Sequence, residues 1–216
     1  MQTTRERLGE PGVRGHRIQF NPRSWAGLLP AALAGRDSIS RGEVFEIAET
    51  GCYSEVFAAS YLWGVGSNGY GPHRYREIVN AAGGRLDDLL RRAAQNAATD
   101  VISGYAMLYG GYEPRSRAAA LEEPWARIAG LGPAFFTKFL YFTTPGALIL
   151  DRVLARRVHA LSGMPYLVRR TGQPYDWSPY RYCVYLHWMA QTATALQCAA
   201  EELELAMFTL DMRDFA

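Results

Sequence analysis

Lysine is nearly absent from this chain. Of 23 basic residues, Lys138 is the only lysine and the other 22 are arginines. In an Ala/Arg-rich sequence that is first a composition effect, the mark of a GC-rich genome. A second reading stands beside it: a guanidinium cannot replace an amine as a nucleophile. Cysteine is also scarce. Cys52, Cys183 and Cys198 form no CxxC pair and no Cys/His metal spacing, so neither a zinc site nor a disulfide scaffold is indicated. No run approaches ~18 uninterrupted apolar residues, and the first residues are polar and charged, without an apolar signal core. Net charge of one sign is missing as well: +2 excludes a histone-like polycation and leaves room for a local basic face. Period-two alternation is confined to RIQF (17–20) and PYLVRR (165–170), too little for a sheet-based fold. The expectation is a soluble cytoplasmic protein with no metal and no cofactor.

What is present is a globular composition, 49% hydrophobic and 20% charged over 216 residues. That is the size of one domain, or of two small lobes sharing a core. Residues 1–22, with Arg5, Arg7, Arg14 and Arg17, are expected as an exposed arm, and 23–216 as a helical domain. SWAGLLPAALAG (24–35) is short and interrupted by Pro30. Ser40 with Glu43 forms a capping box opening a helix over 41–49. Helical spacing continues over 52–63, 72–82 and 85–98, then 100–109, 115–129, 133–143, 146–162 and 179–208. Glu201, Glu202 and Glu204 make an acidic run, for which a solvated face is the default. The fold class is expected to be all-α and multi-helical, in one core or two helical lobes, with little or no β-structure.

The chemistry sits in WARIAGLGPAFFTKFLYFTTPGALILDRVLARRV (125–158). A helix ending near Ala129 meets Gly130-Leu131-Gly132, and Pro133 suits the first position of the next helix. A helix N-terminus reached through glycines is either an ordinary turn or a contact for a phosphate backbone. The following helix is apolar almost all round, with Phe135, Phe136, Phe139, Leu140, Tyr141 and Phe142, and Lys138 lies in its middle. Burial there would lower the amine's pKa and make it nucleophilic; the alternative is a lysine reaching the surface along its stem. Asp151 falls at the start of the next helix, either as an N-cap or as a carboxylate held near the amine. Arg152, Arg156 and Arg157 mark that helix with a basic stripe.

The segment resembles the helix–hairpin–helix motif of base-excision DNA glycosylases. Gly130 and Gly132 match the backbone-gripping hairpin, Thr137-Lys138 the pair carrying the nucleophile, and Asp151 the downstream aspartate. More specifically, FFTKFLYF and ALILDRVLARRV are similar to bacterial proteins of the 8-oxoguanine glycosylase fold, as are YLWGVGSNGYGPHR (61–74) and WSPYRYCVYLHWMAQ (177–191). The resemblance implies a monomeric enzyme acting on double-stranded DNA. It flips out a damaged or modified base, attacks C1′ with Lys138 assisted by Asp151, and can cleave the strand by β-elimination. The target it implies is either 8-oxoguanine or a phage-type modified cytosine, such as glucosylated hydroxymethylcytosine, in anti-phage defence. Gly130, Gly132, Arg152 and Arg156 would then meet the DNA backbone.

Candidates for the base pocket are Trp63, Tyr70, Phe142, His187 and Trp188, each of which is otherwise a core or packing residue. Gly64-x-Gly66-x-x-Gly69 matches a dinucleotide fingerprint only formally, because no strand precedes it. Two other functions stay open on these residues. One is a helix–hairpin–helix module that binds DNA without catalysis. The other is an all-α interaction protein unrelated to DNA.

Overall fold

The computed structural model describes residues 12–50, 52–113 and 116–209. Ten α-helices carry the fold among the described residues: α1 (Gly12–Gly15), α2 (Arg41–Ala48), α3 (Tyr53–Val65), α4 (Gly71–Ala82), α5 (Leu86–Thr99), α6 (Val101–Tyr109), α7 (Pro133–Thr143), α8 (Arg152–Ser162), α9 (Pro179–Leu196) and α10 (Ala200–Thr209). Two three-residue strands, β1 (Arg17–Gln19) and β2 (Ser38–Ser40), pair antiparallel with Ile18 opposite Ile39. The all-α class holds among the described residues.

The two helices with the most apolar sequences are the central ones. α3 is buried continuously from Val56 to Trp63, and α7 from Phe136 to Phe142. A helix apolar on every side has nowhere to go but inside. They pack on each other, while α2 and α5 close over α3 and α6 over α7. α5 is amphipathic and buries Leu86, Leu89, Leu90 and Ala93. Local signals start the helices as read: Ser40 and Glu43 complete a capping box on α2, and Asp100 caps α6 by accepting from Ile102 and Ser103.

Four expectations are corrected. Of the helix expected over 115–129, the described residues 116–129 form only one 3-10 turn (Ala119–Leu121) and then a strap tied to the helices beside it. Glu123 binds Arg92, Ala126 N donates to Met107 O, and Arg127 donates to Tyr109 O. The glycine turn at 130–132 therefore joins an extended strap, not a helix, to α7. The helix expected over 146–162 begins only at Arg152, because Leu148–Leu150 give their backbone hydrogen bonds to side chains and have no regular structure. The 179–208 helix is broken at Gln197, whose φ of 55° lies in the left-handed region. Glu204 is not solvated but fully buried. Of the arm expected over 1–22, residues 1–11 lie outside the described residues. Residues 12–22 pack against the fold, with Val13 and Phe20 buried and β1 paired to β2.

Candidate active site

Lys138 leaves the middle of α7 and is 5% exposed. Its Nζ donates to Ala134 O at 2.8 Å, one turn back on its own helix, and stands 3.6 Å from Asp151 Oδ2. Its stem lies against α3 at Gly64, where a methyl group would come within 2.5 Å of Lys138 Cδ. The absent side chain at Gly64 is what makes room for the lysine. Burial pushes the amine below its ordinary pKa; Asp151 and Glu204 oppose that, and Arg41 adds to it.

Asp151 divides its two oxygens between the two roles open to it. Oδ1 caps α8, accepting from Val153 N at 2.9 Å and Leu154 N at 3.0 Å. Oδ2 is left to face the amine. Thr137, the neighbour of Lys138, sets the distance between the two helices. Its Oγ1 donates to Pro133 O at 2.7 Å and accepts from Leu150 N at 3.2 Å, pinning the residue before Asp151 onto α7.

The amine and the carboxylate open onto a cleft of about 910 Å³. One wall is the start of α7 with Gly132, Pro133, Ala134 and Phe135; another is the start of α8 with Arg152, Val153 and Arg156. Gly64, Asn68 and Arg74 close a third side, and Gln173 to Trp177 the fourth. The last wall is a tight turn: Arg169 N donates to Gln173 O, Tyr175 N to Leu167 O, and Trp177 Nε1 to Leu167 O. The Arg181 guanidinium lies 3.7 Å over the Tyr175 ring. Tyr109 donates to Asp176 at 3.3 Å.

Lys138, Asp151, Gly132, Arg152 and Arg156 are thus brought to one cleft. Gly130 sits behind it, at φ +83°, its carbonyl held by Arg74 at 3.1 Å. Arg157 points the other way and donates to Met207 O. The five aromatic candidates lie elsewhere. Trp63 is buried against Phe142 and His16, and Phe142 faces a separate cavity beside Tyr141. Tyr70 is exposed and stacks on His73; His187 is exposed and Trp188 half-buried on α9. The aromatic rings that do line the cleft are Phe135, Tyr175 and Trp177. Of these, Phe135 sits one turn before the lysine, a spacing that could have singled it out. The 173–177 wall carries no local signal, since only the chain's return across the cleft brings it there.

The family model described as "Putative 8-oxoguanine DNA glycosylase OGG-like protein" matches residues 11–208. Comparison with curated proteins gives no match, and neither does comparison with solved structures.

Proposed function

The chain belongs to the OGG-like DNA glycosylase family, and from that membership and the Lys138–Asp151 pair we propose a glycosylase that uses the lysine amine as its nucleophile. The observation that carries the proposal is a buried amine 3.6 Å from a carboxylate, both opening onto an arginine-rimmed cleft. The target nucleotide leaves the stack, because its glycosidic bond is out of reach inside the duplex. The Lys138 amine, made nucleophilic by burial, bonds to C1′ as the C1′–N bond breaks and the base departs with that electron pair. Asp151 Oδ2 stabilises the positive charge developing on the sugar and takes up the proton released from nitrogen. Opening of the sugar ring gives an imine, from which β-elimination of the 3′ phosphate cleaves the strand. Gly132, Arg152 and Arg156 meet the phosphates around the flipped nucleotide.

The cleft favours a bulky base over a flat one. Its volume is at the upper end of small-molecule sites, about 300–1,000 Å³, and Asn68, Arg74 and Gln173 bring side-chain donors to it. A sugar-bearing modified cytosine uses such donors, whereas 8-oxoguanine suits a narrow aromatic slot. Borohydride trapping on duplexes carrying either base tests both levels of the reading. A covalent adduct that is lost in Lys138→Gln supports the lysine mechanism. Base release that persists in that variant means water attacks instead, led by Asp151. DNA binding without any base release would make the protein a non-catalytic DNA binder, and no salt-dependent DNA binding would remove nucleic acid from its function.

A further inference from the structure

The run that delivers Asp151 to the amine has no regular structure, yet it is fully buried. Leu148, Ile149 and Leu150 are each at most 5% exposed. An unpaired backbone group in such a place costs roughly 1–3 kcal/mol, so the run must find partners, and it finds them in side chains. Tyr182 OH donates to Leu148 O at 2.7 Å and accepts from Leu148 N at 3.1 Å. Tyr185 OH donates to Ile149 O at 2.6 Å, and Thr137 Oγ1 accepts from Leu150 N. Ile149 N goes to Glu204 Oε2 at 2.9 Å.

Glu204 alone among these clamps is charged. Its other oxygen accepts from Arg41 Nη2 at 2.7 Å, and Arg41 is itself 1% exposed, placed over the rings of Trp63 and Tyr141. Both carboxyl oxygens therefore meet donors and neither meets an acceptor, which is the arrangement of an ionised carboxylate. A neutral amide would hold Ile149 N as well, without the desolvation cost of a buried ion pair. The charge thus has a use beyond the hydrogen bond: although burial pushes Glu204's own pKa up, the carboxylate pairs with Arg41 at 2.7 Å, and its field reaches the amine of Lys138 as well as the phenols of Tyr141, Tyr182 and Tyr185. Buried Arg41, Lys138 and Glu204, with the partly exposed Asp151, make a set of two basic and two acidic side chains.

We propose that Glu204 is a positioning residue of the candidate active site: one oxygen fixes the run that carries Asp151, and its charge balances Arg41 so that a cation can form at Lys138. That role for a cationic intermediate rests on the lysine mechanism above; the effect on the amine does not. The charged groups facing Lys138 or sharing its cleft are Asp151, which starts α8, Arg152 and Arg156 from α8, Glu204 from α10, Arg41 from α2, Arg74 from α4 and Asp176 from the far wall, and Tyr185 of α9 is the titratable group coupled to Glu204 and Asp151. Removing Glu204's charge leaves the site with an unbalanced cation, so the amine loses its proton at lower pH.

Lys138 is the only lysine, so protein labelled with ¹³C-lysine gives a single Cε resonance whose shift reports that amine directly, without DNA. Glu204→Gln is expected to lower its titration midpoint by about one unit, while Glu204→Asp, which keeps the charge and loses the reach to Ile149, shifts it much less. An unchanged midpoint in Glu204→Gln overturns the proposal. Where that variant does not fold, Arg41→Gln/Glu204→Gln removes both charges of that buried pair and is expected to shift the midpoint downward by less, because the two act on the amine in opposite directions and Glu204 acts more strongly; no shift again overturns it. The rising limb of the trapping rate against pH should move with the midpoint. A moved midpoint with no trapping on any DNA would refute the lysine-nucleophile reading alone, and trapping with an unmoved midpoint would refute Glu204's role alone.

Discussion

Gly64 and Lys138 meet across the α3–α7 interface so closely that the glycine's missing side chain is part of the site. A methyl group there would stand 2.5 Å from Lys138 Cδ and 2.8 Å from Cε. In most helices, glycine to alanine stabilises by roughly 0.5–1 kcal/mol. Here Gly64→Ala is expected to push the lysine stem aside and carry the amine away from Asp151. Displacement of a reacting group by about 1 Å can cost ~100-fold in rate. Single-turnover borohydride trapping should fall by roughly that factor in a protein that still melts cooperatively; wild-type trapping in Gly64→Ala would mean the stem has another path.

The divided roles of Asp151 can be separated by substitution. Asparagine caps a helix about as well as aspartate, whereas alanine costs about 1 kcal/mol. Asp151→Asn should therefore keep wild-type stability in urea, while Asp151→Ala loses the cap. Both lose the charge facing Lys138, so both should lower trapping, by a factor on the order of 10²–10⁴. A stable Asp151→Asn with full activity would leave the aspartate only its structural role.

His16 supplies a stability switch in the acid range. Burial, together with the Arg41 charge, lowers its pKa to about 4, and its ring packs edge-on to Trp63 and Phe208. Between the ordinary value of 6.5 and about 4, the unfolded chain binds a proton that the folded chain refuses. Stability from this residue is complete above that window and is lost as pH falls through it. Melting temperature should drop more steeply over this range in the wild type than in His16→Gln, and parallel curves would remove His16 as the cause.

Arg152 and Arg156 line the cleft and are exposed. If both meet phosphates, Arg152→Ala/Arg156→Ala should weaken DNA binding on every sequence and reduce the salt slope of log K by about one for each contact. Fluorescence anisotropy over a salt series measures it. An unaltered slope would place the DNA on another face.

The sequence made α7 and its lysine legible because everything needed is local: glycines, Pro133 at the first turn, and an apolar run interrupted by one amine. The capping roles of Ser40 and Asp151 were readable for the same reason. What escaped reading depends on distant partners. ALIL before Asp151 has good helix formers, yet Tyr182, Tyr185 and Glu204 take the hydrogen bonds that a helix would have made. Glu204 looks like a surface charge until Arg41, 163 positions away, is placed beside it. Trp63 and Phe142 were candidates for the pocket on chemistry alone, but they pack against each other in the core.

The clamp on Leu148–Leu150 also fixes when the site can exist. Its side chains come from α7, α9 and α10, and α10 follows the nucleophile by some sixty residues of chain. A chain still being synthesised holds both Lys138 and Asp151 long before it holds Glu204. Until α10 docks, Ile149 N lacks its carboxylate and Arg41 lacks Glu204, so the run that carries the aspartate is held only by Thr137, Tyr182 and Tyr185. The complete site therefore exists only once the last described helix is in the chain and in place.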